Sequence, residues 1–174
     1  MPMNRIRQTL IWLARMPHSR GFGIQSPTDY QFVRYVVNEK WPYYAYSKLD
    51  EGHGWLQRKI GHLMLRLANW RQPKMIVDMG GYGDYLLAGC QTAQIVADVE
   101  VIELACVPIA CNIERVFSKC NEQSVVVFHE LWRHRSLWHC IEQHEKSVVT
   151  FDLYYCGIVL FDKHLSPHNY IVNF

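Results

Sequence analysis

A glycine-rich turn that follows a short apolar run is the part of this sequence with the clearest capacity for chemistry. Residues 76–84 read Ile-Val-Asp-Met-Gly-Gly-Tyr-Gly-Asp, so that Asp78 closes the apolar run and Gly80, Gly81 and Gly83 follow it. Glycines let the backbone approach a ligand closely, and the first turn of a helix offers free N–H groups. The pattern therefore predicts a strand, a nucleotide-binding turn and a helix in this order.

The spacing of these glycines argues against two common nucleotide-binding motifs. The second and third glycines of the dinucleotide pattern G-x-G-x-x-G are not in place, which disfavours NAD or FAD as the ligand. The P-loop pattern G-x-x-x-x-G-K-[ST] does not occur in the chain, which excludes that motif.

The elements that must position the turn follow from the hydrophobic periodicity. Amphipathic helices are predicted at 4–15, from a Ser-Pro N-cap at 26–27 to about 38, and at about 55–70. The remaining segments follow in the order strand 74–78, helix 84–92, strand 99–103, helix 107–119, strand 125–128, helix 131–145, and tail strands 147–152, 157–161 and 169–174.

The turn resembles the first motif of the class I S-adenosylmethionine-dependent methyltransferases, in which an acid at a strand end precedes a G-x-G-x-G turn. Asp78 and Gly80 match the acid and the first glycine. Tyr82 and Asp84 stand where the second and third glycines are expected. The resemblance implies that S-adenosylmethionine binds at this turn, held by Asp78, Gly80, Gly81 and Gly83.

The same resemblance implies a role for a second carboxylate, and it extends to other parts of the chain. In this family an acid closes the second strand and binds the ribose hydroxyls, a position that Glu103 fits at the end of the predicted strand 99–103. An ordinary strand-end carboxylate is the alternative for Glu103. The likeness is to shortened methyltransferase-like proteins of the Bacteroides type, and it covers roughly residues 17–46, 73–91 and 124–174.

The resemblance and the alternation of elements together predict the fold class. Alternating strands and helices favour a parallel sheet with right-handed crossovers and helices on both faces. The expected architecture is α/β, a Rossmann-like three-layer sandwich with a reduced, mostly parallel sheet and an antiparallel C-terminal edge. Residues 1–72 are expected to form an N-terminal helical extension and residues 73–174 the core, within one compact domain.

No catalytic residue and no metal site is predicted. His129 follows the predicted strand 125–128 and is a candidate general base, since its usual pKa is near neutrality, with an unreactive loop histidine as the alternative. In metal-dependent O-methyltransferases acidic ligands occupy this place, but here only Glu130 is acidic. His134 and His139 are five residues apart, so they do not share a helix face.

Composition and charge indicate which classes of binding partner and which cell compartment the sequence favours. A net charge of +2 does not predict nucleic-acid binding, and no stretch approaches the ~20 apolar residues of a membrane span. The six cysteines lack C-x-x-C spacing and are expected to be reduced in a cytoplasmic protein. The N-terminal arginines predict a solvated helix face or a docking surface for an acidic partner or membrane: Arg5, Arg7, Arg15 and Arg20.

Three functions remain open at this point. The sequence is compatible with three hypotheses. The first is an active methyltransferase on a small acceptor, and the second is a methyltransferase-like protein that binds a small molecule or a protein without catalysis. The third is an interaction module that forms a homodimer. The aromatic segment 41–46 would be the interface of the third, and a strap over the core is its alternative role. Tyr82, Asp84 and the short distance of 74 residues from Asp78 to Asp152 favour the second.

Overall fold

A seven-stranded sheet forms the centre of the protein, whose computed structural model describes residues 5–19 and 21–174. The strands are β1 Met75–Asp78, β2 Gln94–Val96, β3 Ile102–Pro108, β4 Cys120–His129, β5 Val149–Asp152, β6 Cys156–Leu160 and β7 His168–Ile171. Their order is β2-β1-β3-β4-β6-β5-β7, and every neighbouring pair except those of β6 is parallel. The sheet is therefore mostly parallel, as predicted.

Helices cover both faces of this sheet. They are α1 Arg5–Ala14, α2 Pro27–Phe32, α3 Ala45–Leu49, α4 Trp55–Arg71, α5 Gly83–Gly89, α6 Ile113–Ser118 and α7 Arg135–Glu142. One apolar core unites α2, α4 and α5 with one face, and a second core joins α6 and α7 to the other. This is the three-layer α/β arrangement expected from the alternation, and it is consistent with a Rossmann-like fold.

The position of the antiparallel strand differs from the prediction. The tail was expected to supply an antiparallel edge, but β6 lies inside the sheet between β4 and β5. All five residues of β6 are buried, as an interior strand requires. The edge strand is β7, which runs parallel to β5.

The predicted strand 99–103 and helix 107–119 are also wrong in their bounds. The strand begins at Ile102 and continues to Pro108, and α6 spans only Ile113–Ser118. The segment 104–107 is buried between β1 and β4, so it needs an unbroken apolar run. Glu103 suggested the end of a strand and Pro108 the start of a helix, although both belong to β3.

Helix α2 continues directly into a π-helical turn at Val33–Val37, where the sequence predicted one regular helix. Ser26 caps α2 as expected, since its hydroxyl accepts the backbone N–H of Asp29 at 3.3 Å. Within the described residues, none of the helices combines the length and apolar character needed to cross a membrane.

The N-terminal arginines do not form one solvated face. The Arg15 side chain is turned inward and pairs with Asp152 at 3.1 Å, with only 12% of the side chain exposed. The Arg7 guanidinium lies 6.0 Å from the centroid of the Trp132 ring. Arg20 lies outside the described residues.

The six cysteines are free thiols, and Cys140 alone is fully exposed. Burial raises the pKa of Cys120 and of Cys156 to about 12, and it also raises the pKa of Cys111. Because the thiolate is the reactive form, we expect one thiol per chain to react rapidly with Ellman's reagent in the native protein and six in denaturant. Cys140→Ser is expected to remove the rapid phase, and a rapid phase that survives this substitution would contradict the assignment.

Candidate functional site

The glycine turn joins β1 to α5, and its own carboxylate holds it in place. Asp78 is the last residue of β1, and its Oδ1 accepts the backbone N–H of Gly80 at 2.9 Å. Its Oδ2 accepts the backbone N–H of Tyr82 at 2.7 Å. Gly81 has a φ of +75°, a left-handed conformation that favours glycine. Asp78 thus stabilises the turn from within, with both of its oxygens engaged.

Tyr82, the residue immediately before α5, fills the space beside this turn. Its side chain is 8% exposed. A Cβ placed on Gly80 would lie 2.7 Å from the Cys106 Sγ and 2.8 Å from the Tyr82 ring, so ring and thiol both press against Gly80. Burial, with smaller contributions from Cys106 and Cys156, raises the pKa of Tyr82 well above its usual range. The phenol is therefore neutral, and the Tyr82 side chain belongs to the same apolar core as Cys106 of β3 and Cys156 of β6.

This location matters because ligands of open α/β sheets bind at the carboxyl ends of the strands. Asp78 of β1 is level with Cys106 of β3, and Cys106 is level with Val127 of β4. The carboxyl ends of the three strands thus lie side by side. The Tyr82 ring packs beside Gly80 at this edge, near the Cys106 thiol.

The start of α5 offers little to an anionic group. Gly83 is the first residue of this helix, and Asp84 follows it as an exposed acid in the first turn. A carboxylate at this place interacts favourably with the helix dipole, and it repels a phosphate or carboxylate ligand. The helix has only seven residues, so its dipole is also short.

Glu103 lies at the opposite end of the sheet from Asp78. It is the second residue of β3, and its Oε2 accepts the backbone N–H of Lys74 at 2.9 Å. Because Asp78 is level with Cys106, Glu103 is three residues, or about 10 Å, further down the strand. The structure therefore does not bring these two predicted site residues together.

The acid that follows the second strand of the chain is Asp98, which sequence analysis missed. It comes two residues after β2, the strand that lies beside β1. Its carboxylate pairs with Arg115 at 3.1 Å and with Lys119, and its side chain is 56% exposed. The short run Gln-Ile-Val before it was the available signal, but a strand of three residues with exposed positions gives a weak pattern.

His129 and Glu130 end β4 at the same edge of the sheet. The His129 Nε2 is buried and has no hydrogen-bond partner among the described residues. Burial lowers the pKa of His129, so the imidazole is neutral at physiological pH. Glu130 pairs with Arg133 at 2.7 Å. Among the described residues, no three acidic, His or Cys side chains cluster as metal ligands would.

The aromatic segment 41–46 divides between two environments. Tyr43 and Tyr46 pack against the core, and the Tyr46 ring stacks on His62 with 3.6 Å between centroids. Trp41 and Tyr44 are exposed. The segment is thus a strap over the core that also presents two aromatic side chains to solvent.

The residues at the turn do not fit S-adenosylmethionine as they stand. The Tyr82 ring is buried beside the turn, Glu103 is at the far edge, and Asp98 is paired with two cations. The linings of five cavities between described residues include none of these residues: Asp78, Gly80, Gly81, Tyr82, Gly83 and Glu103. We therefore derive no catalytic step through this cofactor.

Comparisons of the chain with protein families, with curated proteins and with solved structures gave no match. The methyltransferase likeness therefore depends on the sequence motifs, and a Rossmann-like sheet is shared by many activities. Function has to be argued from the site.

Proposed function

We propose that this chain is a methyltransferase-like protein that has kept the sheet and the glycine turn without S-adenosylmethionine-dependent catalysis, and that it acts by binding. The buried Tyr82 ring is the observation that carries the proposal. The ring packs beside Gly80 and near the Cys106 thiol, where β1 ends beside β3. Ligands of open α/β sheets bind at this edge, so the ring would obstruct a cofactor there.

Displacing the Tyr82 ring would reduce the binding free energy of a ligand by a measurable amount. A ligand in the crevice would have to displace the ring into water, and exposing a buried aromatic side chain costs about 1.5–3 kcal/mol. Since 1.4 kcal/mol is a factor of ten in affinity, this loss corresponds to roughly ten- to hundredfold weaker binding. Asp98, the acid that follows β2, is already paired with Arg115 and Lys119, so a ribose would have to compete with these cations for it.

Calorimetric titration with S-adenosylmethionine and S-adenosylhomocysteine tests the proposal. We expect no saturable binding to the folded wild-type protein at millimolar ligand. Tyr82→Gly restores the second glycine of the motif and is expected to gain weak binding, whereas Tyr82→Phe keeps the ring and is expected to gain none. Circular dichroism confirms that each variant is folded, because removing a buried aromatic side chain costs about 3–5 kcal/mol.

Micromolar binding by the wild-type protein, weakened by Asp78→Ala, would contradict the proposal. That result would restore the active methyltransferase as the better hypothesis. A Tyr82→Gly protein that is folded and gains no binding would show that the ring is not what closes the crevice.

A further inference from the structure

A cavity of about 530 Å³, whose lining includes no residue of the glycine turn, is rich in basic side chains. It lies between the end of α1, the residues after the π-helical turn, α4 and the chain segment 173–174. Four basic residues line it, with a single acid: Lys40, Lys59, His62 and Arg66, and Glu39. We call it the basic cavity.

Arg66 is the most unusual member of this set. The residue is only 7% exposed, and charged side chains are rarely buried unless they are paired. Its Nε donates to the Val36 carbonyl at 2.7 Å, its Nη2 to the Val37 carbonyl at 2.8 Å and its Nη1 to the Tyr46 hydroxyl at 3.4 Å. None of these partners is charged, so within the described part of the chain the guanidinium has no counter-ion.

The guanidinium also has donors to spare. Of its five N–H groups, three are used by the π-helical turn and Tyr46. The π-helical turn exists at the point where Arg66 takes two carbonyls, and such turns occur often at functional sites. The chain thus holds a buried cation in a fixed orientation beside an open cavity.

Lys59 adds a second cation without a carboxylate partner among the described residues. Burial lowers the pKa of Lys59 to about 8, and the charges of Arg66 and Lys40 contribute to this shift. The ammonium lies 4.5 Å from the centroid of the Phe174 ring and 5.4 Å from that of Trp55. The aromatic faces stabilise the Lys59 ammonium only in part. Because Lys59 and Arg66 carry like charges and line the same cavity, they repel each other.

The remaining polar groups leave this excess of positive charge in place. The Glu39 carboxylate, which accepts the Tyr43 hydroxyl at 2.8 Å, can offset only one of the charges of Lys40, Lys59 and Arg66. His62 is paired with Asp50 at 2.8 Å. Asn38 lines the cavity, and its Nδ2 is buried without an acceptor among the described residues. A buried donor without an acceptor is rare in native proteins and calls for a partner.

We propose that the basic cavity binds a small organic anion, with a carboxylate or phosphate head on an apolar or aromatic body. Arg66 and Lys59 would donate to the head, which would supply the missing negative charge. The other part of the lining is apolar and suits the body of such a ligand: Trp12, Met16, Val37 and Phe174. The inference goes beyond the proposed function and stands whether or not S-adenosylmethionine binds.

Phenyl phosphate and benzoate are suitable probes, and benzamidine is a cationic control of similar size. We expect saturable binding of phenyl phosphate or benzoate by calorimetry, with a rise in Tm on ligand addition, and no comparable binding of benzamidine. Lys59→Met is expected to weaken binding of the anion about tenfold. Lys163→Met removes an exposed lysine from another cavity and is expected to change nothing.

The unliganded variants separate a binding role from a structural one. Since Lys59 repels Arg66, the Lys59→Met protein is expected to have a Tm equal to or above that of the wild type, although it binds the anion less well. Failure of both anions to bind the folded protein, equal binding of benzamidine, or unchanged binding by Lys59→Met would each overturn the proposal.

Discussion

Replacing Asp152 by asparagine is expected to lower the free energy of unfolding by about 3–5 kcal/mol. Asp152 ends β5 and is 1% exposed. Its Oδ1 accepts from Arg15 at 3.1 Å, and its Oδ2 accepts from Arg135. Asparagine keeps the size of the side chain and an acceptor for the Tyr154 N–H, which lies at 2.8 Å. The substitution therefore removes the charge and leaves the buried Arg15 without a counter-ion.

Chemical denaturation of the wild type, Asp152→Asn and Asp98→Asn measures this effect against a matched control. Asp98 also accepts from two cations, Arg115 and Lys119, but it is exposed. Water screens an exposed pair, so its loss is expected to be much smaller. Similar losses of stability for the two variants would contradict our assignment of the buried contacts of Asp152 with Arg15 and Arg135. That assignment makes them a main interaction between the end of α1 and the sheet.

The pH dependence of the same difference identifies its source. Burial alone would raise the pKa of Asp152, but the hydrogen bond from Arg135 and the charges of Arg15 and Arg135 outweigh it and lower that pKa. The carboxylate therefore stabilises the fold fully above its usual pKa of about 3.9, and this stabilisation is lost as the pH falls through the lower, folded value. We expect the difference between the wild type and Asp152→Asn to begin to shrink below about pH 4 and to disappear only below the lower, folded pKa. A difference that persists unchanged in strong acid would show that the charge is not its source.

This network also shows where prediction from sequence ends. Arg15 and Asp152 are 137 residues apart, and no local pattern links them. The strands β1, β5 and β6 could be predicted within two residues because buried strands need continuous apolar runs. For β4 only the buried part was predicted, as 125–128, because its exposed, polar start at 120–123 gives no apolar pattern. Which strand lies next to which depends on packing of the whole chain, so the interior place of β6 could not be predicted.

The candidate site could likewise be predicted from the sequence only in part. The turn after β1 was predictable, since a carboxylate and glycines at short spacing fix local hydrogen bonds, as Asp78 makes to Gly80 and Tyr82. The position of Glu103 at the opposite end of the sheet from Asp78 was not predictable, because it depends on where β3 starts. The unpaired charge of Arg66 is visible only once the carbonyls of the π-helical turn are seen to be its partners.

Replacing Gly89 by alanine is expected to lower the free energy of unfolding by about 3 kcal/mol or more, because α4 and α5 touch at this residue. A Cβ on Gly89 would lie 2.1 Å from the Leu65 carbonyl oxygen and 3.0 Å from the Ala68 Cβ. Overpacking of a close-packed core typically costs 1–3 kcal/mol, and here the obstacle is backbone, which has no rotamer to change. The two helices would have to separate.

Gly83→Ala in the same helix is the matched control, and it is expected to change stability in the opposite direction. A Cβ on Gly83 meets nothing nearer than the Asp78 Oδ2, at 3.7 Å. Alanine at an unstrained helical position restricts the unfolded chain and stabilises by about 0.4–1 kcal/mol. Chemical denaturation of the two variants compares the signs directly. Because both substitutions add one methyl group to α5, opposite signs would attribute the loss at Gly89 to the contact with α4, whereas a neutral Gly89→Ala would mean that the helices are not in contact there.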